Sequence, residues 1–171
     1  VSARDRVRRQ QLVLQAEGYL ELGMARHALA LLDRCGDNGT LPDHALYLKG
    51  QSLRELGRYR EAIEPLSRAA KGEPENISIW LALGWCYKRT GKLDRAIESL
   101  EEALAVDPNE ALVHYNLACY WSLAHNKRQA LAYLAKAFDL EDEYRALVAA
   151  ESDFDAIRDD PAFQALVRVT V

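Results

Sequence analysis

The chain has 171 residues, 49% of them hydrophobic and 28% charged, with a formal net charge of −4; that balance belongs to a folded domain or a short repeat array and excludes wholesale disorder. No window approaches the roughly 18 uninterrupted apolar residues of a membrane span, and the charged start has no signal-peptide core behind it. The acidic balance also argues against a nucleic-acid backbone as the main partner, since phosphate binding needs a basic face.

Residues 1–8 read as a basic arm or the first turn of a helix, with Arg4, Arg6 and Arg8 solvated. A helix follows from Arg9 to about Leu22, with Leu12, Ala16 and Tyr19 at helical spacing, and Gly23 stops it. Its partner runs from about Ala25 to Cys35, and a turn-rich loop from Gly36 to Pro42 comes next. Asp43 is the expected N-cap of a helix from about His44 to Leu56. After Gly57, a helix over Tyr59 to Lys71 contains Pro65. A mid-helix proline deletes a hydrogen bond at a cost of about 3 kcal/mol and predicts a mild kink. Helices over Ile77–Thr90, Leu93–Val106, Ala111–Ala124 and Lys127–Asp139 continue the pattern. Short helices are then expected at Glu143–Ala150 and Phe154–Ile157, and Asp160-Pro161 signals a last helix start.

The elements repeat. Ala28, Ala62, Ala96 and Ala130 each stand 34 residues from the next. Between Ile77 and Glu110, the residues Trp80, Leu83, Gly84, Tyr87, Gly91, Ala96, Leu100, Ala103 and Pro108 have a fixed spacing that recurs one period earlier as Leu46, Gly50, Leu53, Gly57, Ala62, Leu66, Ala69 and Pro74. The same frame reappears at Leu12, Ala16, Tyr19, Gly23, Ala28, Leu32 and Cys35, and again at Leu117, Ala118, Trp121, His125, Ala130, Leu134 and Ala137. This pattern resembles the tetratricopeptide repeat, a helix-turn-helix unit of about 34 residues. The resemblance implies an all-α fold, a right-handed superhelical solenoid of antiparallel helix hairpins with repeats at 9–42, 43–76, 77–110 and 111–144. The fourth unit departs from the pattern, with His125 for the turn glycine, Ala118 for the packing glycine and Asp142 where proline would stand. Residues 145–171 resemble the acidic extension that closes many bacterial repeat arrays, and Phe154, Ile157, Phe163 and Leu166 are expected to cover the last apolar face.

No constellation of catalytic type emerges, and no enzymatic activity is expected. His27, His44, His114 and His125 share no spacing, no H-E-x-x-H or paired-cysteine motif points to a metal, and phosphate-binding glycine loops are absent, so neither cofactor nor metal is expected. Cys86 or Cys119 near His114 is the one nucleophile arrangement that spacing leaves open. Cys35, Cys86 and Cys119 contain no C-x-x-C pair, which favours core packing over a disulfide framework and makes a cytoplasmic location the expectation. The start at Val1 rather than methionine points to a processed protein or a piece of a longer one.

What the sequence does offer is a surface. Residues three or four apart share a helical face, and in the first helix of each hairpin the resemblance assigns the inner face to ligand contact. That face carries His44, Tyr47, Gln51 and Arg54, then Leu81, Trp85, Lys88 and Arg89, then Tyr115 and Cys119. Flat aromatics flanked by cations suit a peptide with apolar anchors and acidic groups. The alternative for Leu112, Tyr115, Cys119 and Leu123 is packing against one another or under a returning terminal helix. The subclass that grips a terminal carboxylate needs lysines and asparagines where this chain has Gln10, Leu14, Leu48, Ser78 and Ala82, so that clamp is missing. The expected function is a protein-interaction module or scaffold with a peptide groove. The alternatives are self-assembly, with the arginine-rich start of one copy meeting the acidic end of the next, and a secretion-type chaperone.

Overall fold

The structure, a computed structural model, describes residues 2–37 and 39–168. The described residues form helices and turns and no strand, in two compact units, one running to Gly91 and one beginning at Lys92. None of the helices is long and apolar enough to cross a membrane.

In the first unit α1 (Ala3–Glu21) pairs with α2 (Ala25–Cys35), α3 (Asp43–Glu55) pairs with α4 (Tyr59–Gly72), and α5 (Ile77–Arg89) packs on α4. The first helices also form a row, α1 against α3 and α3 against α5. α1 starts at Ala3 rather than Arg9 because Ser2 and Asp5 form a capping box: the Ser2 hydroxyl accepts from the Asp5 backbone N–H at 3.1 Å, and the Asp5 carboxylate accepts from the Ser2 N–H at 3.2 Å. The basic stretch, expected as an arm or the first turn of a helix, is therefore helical from Ala3, with Arg4, Arg6 and Arg8 exposed on it. Asp43 does not cap α3. Pro42, at φ −67° and ψ 158°, already holds the extended cap conformation, and Asp43 becomes the first helical residue. Pro65 is buried inside α4, which continues past it to Gly72.

Small residues bring these helices together. Ala28 and Ala62 are the fourth residues of α2 and α4, and both are fully buried, as are Leu32 and Leu66 one turn later. Gly50 on α3 faces Leu66, and a Cβ there would stand 2.5 Å from Leu66 Cδ2, so the α3–α4 approach tolerates no side chain at that point.

The second unit repeats the scheme. α6 (Leu93–Val106) packs on α7 (Ala111–Leu123), which pairs with α8 (Lys127–Leu140). Ala96 and Ala130 are again fully buried fourth residues, so the 34-residue spacing reads out as one recurring packing position. The extension after α8 is more broken than its periodicity predicts. A 3-10 turn over Asp142–Tyr144 leads into α9 (Arg145–Val148), a 3-10 segment over Ser152–Ile157 and α10 (Pro161–Val167). Phe154, Ile157 and Phe163 are buried and Leu166 is half-buried, with the 3-10 segment against α7 and α10 against α8. Side chains hold this irregular backbone where helical hydrogen bonds cannot. The Arg158 guanidinium donates to the Val148 and Ala149 carbonyls at 3.3 Å and to the Glu151 carbonyl at 2.8 Å, while Lys127 reaches Asp160 at 2.6 Å.

The turns between paired helices share one geometry. Gly23 and Gly57 sit at φ 70° and 72°, and the N–H of the next residue donates to the carbonyl five positions back, Met24 to Tyr19 and Arg58 to Leu53. His125 takes the same place at φ 57°, with Asn126 donating to Trp121. A side chain in the left-handed region is strained by about 1–2 kcal/mol, part of which glycine returns as extra freedom in the unfolded chain. His125→Gly should therefore stabilise the protein by about 0.5–1 kcal/mol, read as a rise in denaturation midpoint with unchanged m-value.

Candidate functional site

The row α1–α3–α5 carries most of the residues expected at the groove. On α3 three of them are joined: Arg54 Nε donates to Gln51 Oε1 at 2.7 Å, and Gln51 Nε2 donates to Tyr47 Oη at 2.8 Å. The spacings i, i+3 and i, i+4 stack the three along one face, and the chain of donors fixes the Gln51 amide orientation. Tyr47 accepts in this chain, which leaves its phenol proton to donate outward, and the Nη groups of Arg54 have no acceptor among the described residues. His44, at the start of α3, lies 3.3 Å from Glu17 of α1, with both side chains substantially exposed.

Trp85 on α5 is half-buried and carries cations on its ring: Lys88 Nζ is 5.1 Å and the Arg89 guanidinium carbon 5.9 Å from its centroid. Arg89 lies closer still to Tyr59, the first residue of α4, at 4.9 Å. The Arg89 contacts hold its positive charge over flat aromatic surface without neutralising it, because a ring supplies a quadrupole and no formal charge. Arg89 has no carboxylate partner among the described residues. Leu81 is half-buried one helical turn before Trp85. Sequence reasoning missed Tyr59, since a residue opening a second helix is not on the expected ligand face. Its aromatic identity beside the Gly57 turn was the available signal.

A cleft of about 700 Å³ opens at the other end of the row, lined by Arg6, Arg9, Val13 and Leu14 of α1 together with Leu41 and His44. Leu14 is 66% exposed there, and Arg6, expected to be merely solvated, forms with Arg9 a cationic rim to apolar ground.

Tyr115 and Cys119, expected on the same groove, are instead buried in the second unit. The Tyr115 ring stacks on Tyr144 at 5.0 Å and meets Phe154 edge-on at 5.9 Å. Nine of the thirteen residues of α7 are buried, including Val113, Leu117 and Tyr120 as well as these two. A helix apolar on every side has no face to offer to water, and the C-terminal extension covers the one that its helical neighbours leave. That missing polar face was legible in the sequence.

Nucleophilic chemistry finds no support at Cys86, which is fully buried with its thiol pushed up to about 11 by desolvation. His114 is also buried, and its Nε2 must donate to the Pro108 carbonyl at 2.8 Å, which fixes the ring's tautomer by a packing contact.

Two tetratricopeptide repeat family models match the chain, over residues 13–77 and 53–118. The chain belongs to the tetratricopeptide repeat family. Its all-helical architecture is that of a tetratricopeptide solenoid. It is similar to the crystal structure of MamA, with a TM-score of 0.73 and 21% identity over 81% of each chain. It is equally similar to YrrB, a TPR protein with an unusual peptide-binding site, with a TM-score of 0.73 and 23% identity over 79% of this chain and 70% of that one. Among curated proteins it is 41% identical over 54 residues to anaphase-promoting complex subunit 3 of Dictyostelium discoideum, 32% of this chain and 6% of that protein. The chain spans only 6–12% of the length of the curated relatives it matches.

Proposed function

We propose that this tetratricopeptide chain is a scaffold that binds a peptide segment of a partner protein, and that the α1–α3–α5 row of the first unit is where it does so. The observation that carries the reading is the Trp85 platform: a half-buried indole bearing Lys88 and Arg89, with Arg89 also on Tyr59. Beside it on the row, the Tyr47–Gln51–Arg54 chain presents directed donors. Aromatic surface supplies apolar contact area at little entropic cost, and the guanidinium groups of Arg54 and Arg89, which have no carboxylate partner among the described residues, favour an acidic ligand. The peptide-binding site of YrrB, a protein of the same fold, is consistent with this use of the scaffold. The expected ligand is a segment with an aromatic or aliphatic anchor flanked by Asp or Glu, and the chain would position its partner rather than transform it.

Selection of random 12-residue peptides on the intact chain, followed by affinity measurement at two salt concentrations, tests this. Acidic sequences with an apolar anchor should be enriched. The double change Lys88→Glu with Arg89→Glu should weaken them strongly at low salt and less at high salt, because exposed charges are screened over roughly 10 Å at 0.1 M. Enrichment of basic or wholly apolar peptides, or indifference to the charge reversal at low salt, would contradict the reading.

A further inference from the structure

α1 carries a second apolar line that the first unit does not use. Leu12, Val13, Ala16, Tyr19 and Leu20 turn towards the core. On the opposite side Val7 is 53% and Leu14 66% exposed, and Leu22, which caps the helix, is 74% exposed. Exposed apolar residues scattered singly are ordinary, but these share one side of one helix. Val7 and Leu14 belong to a line of Arg4, Val7, Gln11, Leu14, Gly18 and Glu21, whose alternating steps of three and four residues are those of a coiled-coil seam. Leu22 flanks it.

Gly18 marks the same line independently. Glycine inside a helix is unfavourable relative to alanine, and nothing within the chain requires it here. Its backbone is not in the left-handed region, and a Cβ built on it would meet nothing within 4 Å, whereas one on Gly50 would run into Leu66. A bare backbone facing open space is where a second helix can approach closely. Charge is distributed along the line as well. Arg4 stands at one end and Glu21 at the other, both exposed and both without an ion-pair partner among the described residues.

We infer that this line is a homodimer surface, on which α1 of a second copy lies antiparallel. In that register Arg4 lies against Glu21 of the second copy, Val7 against its Gly18 and Gln11 against its Leu14, and a twofold axis repeats each contact. The two helices then overlap over the whole of Ala3–Glu21. Val7 rests on a backbone with no Cβ to displace it, and unlike charges meet at both ends. Parallel alignment would set Arg4 on Arg4 and Glu21 on Glu21, so charge selects the direction. Contact of this kind closes at two copies, whereas joining the arginine-rich start to the acidic end of the next copy would continue from copy to copy. α1 is about 28 Å long, and one helix pair of that length belongs to the small, weak class of specific interfaces, so the dimer is reversible and concentration-dependent. The line shares no residue with the Trp85 platform.

Sedimentation equilibrium of the intact chain, from micromolar to near-millimolar concentration, should fit a monomer–dimer equilibrium with no larger species. Leu14→Glu changes an exposed site, so circular dichroism should stay as it is while the dimer is lost. Arg4→Glu alone and Glu21→Arg alone each create two like-charged contacts across the twofold axis, and each should raise the dissociation constant roughly tenfold or more at low salt. Combined in one chain, the two changes restore opposite charges and should return the constant close to its wild-type value. A wild-type chain that stays monomeric throughout overturns the inference whatever the variants do. So does growth to species larger than a dimer, a dimer that survives Leu14→Glu, or a double charge variant that, folded by circular dichroism, associates as weakly as its parents.

Discussion

Truncating Phe154 to alanine should destabilise the second unit by about 3–5 kcal/mol. The ring is fully buried at the centre of the extension's contact with the repeat, edge-on to Tyr115 and 5.6 Å from Phe163. It sits in a 3-10 segment whose backbone is held by side chains rather than by a continuous helical ladder, so its removal leaves a cavity that the short, pinned segment can collapse only in part. Against a total stability of about 5–15 kcal/mol for a typical domain, that loss is a large fraction. Chemical denaturation followed by circular dichroism should show the midpoint fall accordingly. Deleting residues 152–171 should go further, because it also uncovers Tyr115, Cys119 and Val148 on the faces that the extension closes, and the expected result is aggregation as well as a lower melting temperature. A Phe154→Ala loss below about 1 kcal/mol would mean that the extension is ornament rather than cap.

The second large effect belongs to the groove. Trp85→Ala should weaken a selected acidic peptide by about 2 kcal/mol or more, roughly 30-fold. The indole projects from α5 away from the residues that pack the helix into the unit, among them Ile79, Leu83 and Cys86, and its near neighbours are the cations of its own helix. Removal therefore costs anchoring surface and unseats Lys88 and Arg89 without opening the core, and the circular dichroism spectrum should be unchanged. Arg89 retains Tyr59 as a second ring, so some charge steering should survive, and the loss should appear mainly in the dissociation rate. If Trp85→Ala unfolds the chain and shows no defect specific to the peptide, the indole is a packing residue.

Much of the fold was legible because the repeat's physics is local. Gly23, Gly57 and Gly91 stand where a left-handed turn is required, and Ala28, Ala62, Ala96 and Ala130 stand where helices meet closely, so spacing alone places both. The caps were less legible. Asp43 has the right chemistry for an N-cap, but Pro42 before it has the right backbone, and conformation prevailed. The site divides in the same way. Tyr47, Gln51 and Arg54 are brought together by helical spacing, which a sequence displays directly. Tyr59 joins Arg89 only through the packing of α5 on α4, while Tyr115 and Cys119 are covered by residues about 30 positions later in the chain. Both facts are tertiary, and periodicity within a repeat does not contain them.

The three tryptophans allow the groove to be tested without removing anything. The Trp80 indole N–H donates to the Pro74 carbonyl at 2.8 Å and the Trp121 indole nitrogen is buried, whereas Trp85 stands on the proposed binding face. In a nitrogen-15 spectrum of the intact chain, titration with a selected acidic peptide should move the Trp85 indole resonance along a saturable curve matching the independently measured affinity, with those of Trp80 and Trp121 nearly still. A peptide that saturates the protein and leaves the Trp85 resonance unmoved would contradict the claim that this face is where the partner binds.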